Sequence, residues 1–307
     1  MDVMKRIIAA KLFAVRSALV TLFAIVATSC TTVPSEPELA PRKENMFAVT
    51  TGNNLISFNA GQPRKILSKK ALTGLQPDEE IVGIDFRVAK GVLFALGSTK
   101  GQGRLYTIDK DSGKATAVGL PLAVALDGNE FGFDFNPTVD RIRVVSNSGL
   151  NMRLHPDTGA VVDANPNEPG IQTDGKLAFD AADSNAGKTA SVMAAAYTYN
   201  KVNDKITTNF AIDGKLDLLL TQGTREGVMP AVSPNTGRLF TVGKLGVGEA
   251  ARVSFDIADT TGAGFAAFTK AGESASKFYL INLETGAATF LGTIGGGEAV
   301  RGVSFEP

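Results

Sequence analysis

Cysteine, histidine and tryptophan are almost missing from this 307-residue chain, which has one Cys, one His and no Trp. A single cysteine cannot form a disulfide within the chain, so stability must come from packing. Zinc ligation by His and Cys residues is excluded by number, and a Ser-His-Asp arrangement has only His155 as its base. No P-loop is present, because Gly295–Gly297 precedes Glu298 rather than a lysine, and we expect no nucleotide partner.

An excess of charge of either sign is also missing. Lys+Arg and Asp+Glu each total 31, so the chain is formally neutral. A protein without a basic excess has no electrostatic footprint for the phosphate backbone. We therefore expect no nucleic-acid partner.

Residues 1–29 have the pattern of an export signal. A charged leader is followed by a largely apolar run, Ala18–Ala27, which is too short to span a bilayer as a helix. Small residues then precede Cys30, as in a bacterial lipobox, whose cysteine is acylated. We predict lipidation at Cys30, with an ordinary cleaved signal as the alternative.

The residues after Cys30 predict where the protein is held. Residue 31 is Thr rather than Asp, which under the lipobox rule favours the outer membrane of a diderm bacterium, on either of its sides. Residues 30–45 are rich in Pro, Glu, Ser and Thr, and this composition predicts a flexible tether. The sequence therefore predicts a cell-envelope lipoprotein that is anchored to the membrane by its lipid.

A short phrase, an apolar residue followed by an acidic one, recurs five times in the rest of the chain. It occurs at Ile84-Asp85, Phe133-Asp134, Phe179-Asp180, Phe255-Asp256 and Phe305-Glu306. Short β-type runs and turn residues separate the copies, including polar turns such as Asp109–Gly113. A repeat of roughly 50 residues with this content is typical of a β-propeller.

The repeat predicts an all-β fold, a single β-propeller domain over residues 46–307. Five blades are favoured, with an inserted hairpin that extends the outer edge of the fourth. Six blades stay open, because Arg238–Val242 has the features of a further opening strand. We expect the ring to be closed by pairing of Val303–Phe305 with the N-terminal blade near Phe47–Val49.

The chain resembles an uncharacterised bacterial family, the domain of unknown function 4394. The resemblance rests on Gly83–Phe86, Gly103–Asp109, Phe240–Gly243 with Leu245–Val247, and Tyr279–Asn282. It covers roughly residues 46–307 and implies a propeller-like fold. The family has no assigned activity, so the resemblance implies no catalytic residue.

Two groups of acidic residues are candidates for a ligand or cation site. If the repeated phrase ends the innermost strand of every blade, five acids approach the central axis, and they would raise one another's pKa or recruit a cation such as Ca²⁺. These five are Asp85, Asp134, Asp180, Asp256 and Glu306. The alternative is that each acid accepts backbone N–H groups and ties neighbouring blades together.

The second group lies in the loops that lead into those strands, which gather on one face of a propeller. It consists of Glu79, Glu80, Glu130, Glu249 and Glu298. The alternative here is solvated charges paired with Arg252 and Arg301. Arg141 and Arg143 alternate with apolar residues and are interpreted as the polar face of a strand.

Two functions follow from these features, and a third, structural interpretation is a passive wall component held by the tether. The first function is a lipid-anchored binding or scaffold module that recognises an envelope protein or glycan. The second is a metal-dependent hydrolase or isomerase that acts on a sugar or lactone through the acidic ring. No cofactor is identified from the sequence, and Ca²⁺ is the cation that the carboxylates would suit.

Overall fold

Short apolar runs broken by turns form twenty strands in the part of the chain that the structure, a computed structural model, describes: Glu36 and residues 38–307. The export signal, Cys30 and the first part of the predicted tether lie outside these residues. In chain order the strands are β1 (Asn45–Thr50), β2 (Asn54–Asn59), β3 (Ile66–Ala71), β4 (Glu80–Arg87), β5 (Val92–Thr99), β6 (Gln102–Ile108), β7 (Ala115–Val118), β8 (Phe131–Asn136), β9 (Arg141–Ser146), β10 (Asn151–Leu154), β11 (Ala178–Phe179), β12 (Val192–Tyr197), β13 (Asn209–Asp213), β14 (Leu218–Gln222), β15 (Arg238–Lys244), β16 (Arg252–Ile257), β17 (Gly264–Thr269), β18 (Lys277–Ile281), β19 (Ala288–Thr293) and β20 (Val300–Phe305). Helical structure in these residues is limited to two 3₁₀ turns, Val88–Lys90 and Pro234–Thr236.

The strands form five sheets, which are the five blades of a β-propeller. Blade 1 has the order β20-β1-β2-β3, blade 2 β4-β5-β6-β7, blade 3 β8-β9-β10, blade 4 β12-β13-β14-β15-β11 and blade 5 β16-β17-β18-β19. The first strand named in each blade is the innermost, and these five strands contact one another in a ring. The prediction of five blades is confirmed, and the six-bladed alternative is wrong.

Blade 1 is built from both ends of the described chain. β20 pairs antiparallel with β1, with Phe47 opposite Ser304 and Met46 opposite Phe305. The Phe305 ring packs edge-on against Phe265 of blade 5, with 5.3 Å between ring centroids. The predicted closure of the ring by its terminal strands is confirmed.

Blade 4 departs from the sequence prediction at its inner strand. Phe179 belongs to β11, which pairs parallel with β15 at the outer edge of the blade. The innermost strand is β12, whose six residues are all buried. An apolar, closely packed axis needs such a strand, whereas a two-residue strand can only extend an edge. The extra strand of blade 4 is therefore β11, and no inserted hairpin lies there.

Small residues allow the inner strands to approach closely at the axis. Three of the positions that line the central channel are glycines, and a Cβ atom on Gly132 would lie 2.6 Å from the backbone nitrogen of Ala195. The channel at this level encloses only about 10 Å³, about the space of one water molecule. The channel is therefore narrow where these glycines meet.

Residues 38–44, assigned from the sequence to the tether, pack against the propeller. The backbone N–H of Arg42 donates to Asn59 Oδ1 at 2.8 Å, and the Arg42 guanidinium lies 5.2 Å from the centre of the Phe265 ring. Leu39 is partly buried against the apolar cluster between blades 1 and 5. Any tether therefore ends before residue 38. No helix in residues 38–307 is long and apolar enough to cross a bilayer.

The polar turns between outer strands are held by their own side chains. Asp109 Oδ1 accepts the backbone N–H of Asp111 and both the N–H and the hydroxyl of Ser112. Asn282 plays the same part in the last blade, and His155 Nδ1 accepts the N–H of Asp157 at 3.2 Å. These side-chain bonds stabilise the turns without a ligand. They also give His155 a structural role in its turn.

Candidate functional site

Three aspartates converge on the axis near the ends of the inner strands. Asp85 on β4, Asp134 on β8 and Asp256 on β16 each bring a carboxylate oxygen within 4.8 Å of the other two. All three side chains are buried. We call these residues the axial triad, and the channel end at which they lie the rear mouth.

Each aspartate of the axial triad ties its own blade to the next one, which links blades 2 to 3, 3 to 4 and 5 to 1. Asp85 Oδ2 accepts the N–H of Phe135 at 2.7 Å, Asp134 Oδ1 that of Tyr197 at 2.9 Å, and Asp256 Oδ2 that of Phe305 at 2.8 Å. In each case the donor lies on the inner strand of another blade. Each carboxylate therefore supplies an acceptor to a buried amide that would otherwise have none.

The two remaining blades have no acid at the corresponding position. In blade 1 this position is Ser304, whose hydroxyl donates to Asp85 Oδ1 at 2.8 Å and accepts the N–H of Phe86 at 3.1 Å. In blade 4 it is Ala196, which cannot form such a bond. Three aspartates and one serine thus make four of the five possible contacts between neighbouring blades. The fifth, from β12 to β16, is missing because β12 has an alanine at this position.

Burial raises the pKa values of all three axial aspartates, and the charges of neighbouring carboxylates add to the shift for Asp85 and Asp134. Burial, and then the charge of Asp256, raise the pKa of Asp85 well above its usual value, and burial and both neighbouring carboxylates do the same for Asp134. Burial raises the pKa of Asp256 to about 7. Burial and the three carboxylates also raise the pKa of Tyr199, which lies beside the triad at the rear mouth.

The axial triad is a poor cage for Ca²⁺. Five of its six carboxylate oxygens already accept hydrogen bonds from backbone N–H groups or Ser304. Calcium takes six to eight oxygen ligands, and within the triad only Asp134 Oδ2 is left without a hydrogen bond from these groups. The hydrogen-bond geometry fits blade linkage better than cation binding.

Asp180 and Glu306 do not belong to the axial group, which corrects the predicted five-membered ring. Asp180 follows the outermost strand of blade 4, where it pairs with Arg238 and accepts the N–H of Ala182 at 2.9 Å. Glu306 follows β20 beyond the ring and lies 3.2 Å from Lys110 Nζ. The cause is register: β11 is an edge strand, and Ser304 rather than Glu306 occupies the axial position of β20.

Ion pairs surround the opposite end of the channel, which we call the front mouth. Arg252 Nη2 lies 3.2 Å from Glu130 Oε1, and this pair joins blades 5 and 3 across the opening. Arg301 Nη2 donates to Glu80 Oε1 at 2.7 Å. Burial raises the pKa of Glu130 despite the nearby Arg252. The predicted charges at this face are therefore largely paired.

The other acids of the second group lie apart from the front mouth pairs. Glu298 accepts from Lys69 Nζ at 2.8 Å and from the Thr50 hydroxyl, and these bonds lower its pKa to about 2. Glu79 accepts from the Tyr106 hydroxyl inside blade 2. The Glu249 side chain is exposed. The second group is thus several separate contacts rather than one site.

A cavity of about 380 Å³ lies between blades 3 and 4, and the sequence analysis did not predict it. Its walls include three arginines, two asparagines and a tyrosine from distant parts of the chain. These polar residues are Asn136, Arg141, Arg143, Arg153, Tyr197 and Asn235. We call this space the arginine cavity.

Arg143 is the buried centre of the arginine cavity, with 2% of the residue exposed. It donates to Asp174 Oδ2 at 2.6 Å, Asn151 Oδ1 at 2.7 Å, Asn235 Oδ1 at 2.6 Å and the Tyr197 hydroxyl at 3.1 Å. Its partners lie on β10, on β12, in one loop and in the 3₁₀ turn Pro234–Thr236, so only the fold brings them together. Arg141 and Arg143 both lie on the polar face that their alternation predicts, but at Arg143 this face is buried among protein acceptors.

The chain belongs to the family described as Domain of unknown function (DUF4394), which matches residues 54–304. This confirms the resemblance inferred from the blade-forming sequences. A comparison with curated proteins found no match.

Several solved structures are similar to this chain at low identity. A proposed 6-phosphogluconolactonase from Bacteroides uniformis is 14% identical over 82% of each chain, with a TM-score of 0.40. TolB from Acinetobacter baumannii is 11% identical over 89% of this chain and 68% of its own, with a TM-score of 0.40. A protein of unknown function from Bacteroides thetaiotaomicron is 13% identical over 83% and 58%, with a TM-score of 0.42. We draw no inference about activity from these likenesses.

Proposed function

We propose that this protein is a ligand-binding module of the bacterial cell envelope, held at the outer membrane by a lipid on Cys30. The observation that carries the binding role is the arginine cavity, a concave space in which polar groups from several chain segments converge. Five blades linked at the axis form a rigid frame on which such a site keeps its shape. The ligand would be an envelope glycan or part of an envelope protein.

The alternative, a metal-dependent hydrolase or isomerase acting on a sugar or lactone, depends on the axial triad. Its carboxylates lie close together, which is the specific observation in its favour. Their oxygens, however, serve the amides of neighbouring blades, and the adjoining channel is too narrow for a sugar ring. The geometry therefore favours the binding role.

Binding can be tested with a variant that fills the cavity. Val139 lies in the cavity wall and is 55% exposed, so Val139→Trp should occupy the space without entering the core. The matched control is Val202→Trp, on a fully exposed loop residue. Two extracts are used, one of envelope glycans and one of peptides from digested envelope proteins. We expect at least one of them to raise the melting temperature of the wild type and of the control, but not that of Val139→Trp.

Two results would reject the binding role: no shift with any extract, or equal shifts in all three proteins. The enzyme alternative is judged in parallel by adding Ca²⁺ and then a chelator. The binding role predicts no change in melting temperature. A Ca²⁺-dependent rise that Asp134→Asn abolishes would support the metal-dependent alternative instead.

The lipid anchor is tested separately on the full chain. Cys30→Ser removes the acylated sulfur, so the variant should move from the membrane fraction to the soluble fraction. Its melting temperature should equal that of the wild type, because the propeller is unchanged. Retention of the variant in the membrane fraction would reject acylation as the anchor.

A further inference from the structure

We propose that the arginine cavity binds a small organic anion, a sugar acid or a sugar phosphate, through Arg141 and Arg153. This inference rests on the proposed binding function and names the chemistry of its ligand. Carboxylate and phosphate share the feature that the site recognises, which is a group of negatively charged oxygens that accept two or more guanidinium N–H bonds.

Charge is the first argument. Three guanidinium groups line the cavity, and one carboxylate, Asp174, serves both Arg143 and Arg153, at 2.6 Å and 2.8 Å. Asp140, next to the cavity wall, is engaged by Arg87 on the other side of blade 3. Positive charge therefore exceeds negative charge around the space, and a bound anion would balance it.

The number of unused donors is the second argument. Each guanidinium has five N–H donors. Arg153 uses Nε and Nη2 on Asp174, which leaves its Nη1 group to face a ligand. Arg141 contacts backbone carbonyls of residues 139 and 140 through Nη1, which leaves Nε and Nη2. Most N–H groups of Arg143 donate to protein acceptors. Arg143 is thus a positioning residue, which holds the cavity wall around Arg141 and Arg153.

The neutral groups of the wall suit a sugar ring. The Tyr197 hydroxyl accepts from Arg143 Nε at 3.1 Å and keeps its own proton for a ligand oxygen. Asn235 presents its carbonyl oxygen to Arg143, so its amide N–H groups are directed elsewhere. Val139, Val162 and Pro234 add apolar surface. A cavity of about 380 Å³ lies at the small end of ligand pockets and fits a molecule of monosaccharide size.

Calorimetric titration of the full chain tests the inference with three probes: glucuronate, glucose 6-phosphate and neutral glucose. We expect at least one anion to bind and glucose to bind much more weakly. Arg141→Gln should weaken anion binding by about tenfold or more, because a charge-assisted bond is lost. Arg141 holds only backbone carbonyls, so the variant should fold; Arg153→Gln is a second variant. Arg104→Gln, on β6 of blade 2, is the matched control and should bind as the wild type does.

The outcomes separate the two proposals. Binding of only glucuronate or only glucose 6-phosphate, lost in Arg141→Gln, supports the inference and identifies the anionic group. Equal affinity for glucose and the anions, or unchanged affinity in both arginine variants, overturns it. No binding of any probe also overturns it, while the extract experiment with Val139→Trp still judges the binding function independently.

Discussion

At the scale of single residues, the axial aspartates combine a cost with a benefit. An ionised carboxylate that is buried beside two others loses hydration and is repelled by its neighbours. Asp85 offsets that cost with three hydrogen bonds, from the N–H groups of Phe86 and Phe135 and from the Ser304 hydroxyl. The benefit is that Asp85 provides hydrogen-bond acceptors for buried backbone N–H groups, and that of Phe135 would otherwise have none.

This argument predicts different effects for two substitutions at Asp85. Asp85→Ala leaves the buried N–H of Phe135 without an acceptor, so it should lower the free energy of unfolding by about 2 to 4 kcal/mol. Asp85→Asn keeps one acceptor oxygen and removes a charge, and should cost less than about 1 kcal/mol. Denaturant titration measures both. Equal losses in the two variants would mean that the bond between blades is unimportant.

The axial triad also predicts how stability depends on pH. Its pKa values are raised in the fold, to about 7 for Asp256, above the usual value for Asp of about 3.9. A raised pKa means that its contribution to stability is complete below about pH 4 and is lost as the pH rises through about 7. The melting temperature should therefore be higher at about pH 5.5 than at about pH 8.5.

Asp134→Asn tests the origin of this dependence. The variant retains an oxygen for the N–H of Tyr197 and has no charge to ionise, so its profile should be flatter and its gain should be largest at high pH. Asp109→Asn is the matched control, since Asp109 is a surface turn residue whose pKa is lowered, chiefly by the Ser112 hydroxyl. If the melting temperature of Asp134→Asn changed with pH as steeply as that of the wild type, other groups would cause the pH dependence.

The residues of the two candidate sites were unequally visible in the sequence. Asp85, Asp134 and Asp256 could be found because one phrase recurs at the same point of similar strands. Arg143 could not, because its partners Asp174 and Asn235 lie 31 and 92 residues away and repeat nothing. A buried polar network without periodicity gives no signal in a single sequence.

At the scale of strands, the prediction of the innermost strand is right where the repeated apolar–acidic phrase lies on a long apolar strand. It is wrong in blade 4, where the phrase and the long apolar strand are in different places. The sequence predicts the four strands of blade 2 at Val82–Phe86, Val92–Leu96, Arg104–Ile108 and Ala115–Val118. Every predicted end lies within three residues of the end observed in β4 to β7, because each strand is flanked by turns. In blade 4 the phrase Phe179-Asp180 is on an edge strand, and the true inner strand β12 has Ala196 in place of an acid. Small apolar residues satisfy the packing of the axis equally well, so the phrase is not required there.

The close spacing of the inner strands predicts that the axis does not tolerate even one added methyl group. In Gly132→Ala the new Cβ would lie 2.6 Å from the Ala195 nitrogen and 2.7 Å from Val145 Cγ2. The backbone of β12 cannot move without disturbing its neighbours, so we expect a loss of about 1 to 3 kcal/mol in the free energy of unfolding.

The matched control for Gly132→Ala is Gly52→Ala, in the turn after β1. Its Cβ would approach the carboxylate end of the Glu298 side chain at 2.8 Å, and that end can rotate away at the cost of its bond to Thr50. Denaturant titration should therefore show a loss of about 1 kcal/mol or less for the control, smaller than that of Gly132→Ala. Similar losses in both variants would mean that the cost arises from the glycine backbone and not from strand spacing.

At the scale of the whole molecule, every blade of the ring is held on both sides. Each innermost strand packs against the innermost strands on both sides, so every blade has two neighbours. Five apolar clusters fill the spaces between blades, and the cluster between blades 1 and 5 includes Met46 and Val303 from opposite ends of the chain. A closed ring also leaves fewer unpaired strand edges than an open one.

Closure therefore predicts that the last strand is required for the fold as a whole. A chain ending at residue 299 lacks β20 and so removes contacts to β1, β4 and β16 at once. We expect it to lose the cooperative unfolding transition, measured by circular dichroism and calorimetry, and to aggregate through the exposed edge of β1.

The control is a chain that ends at residue 305 and lacks only the exposed Glu306 and Pro307. The ion pair of Glu306 with Lys110 lies on the surface, so this chain should keep the transition, with a free energy of unfolding within about 1 kcal/mol of that of the full chain. If the chain ending at residue 299 unfolded cooperatively near the wild-type temperature, four blades and a partial fifth would be sufficient, and closure could not be the source of stability.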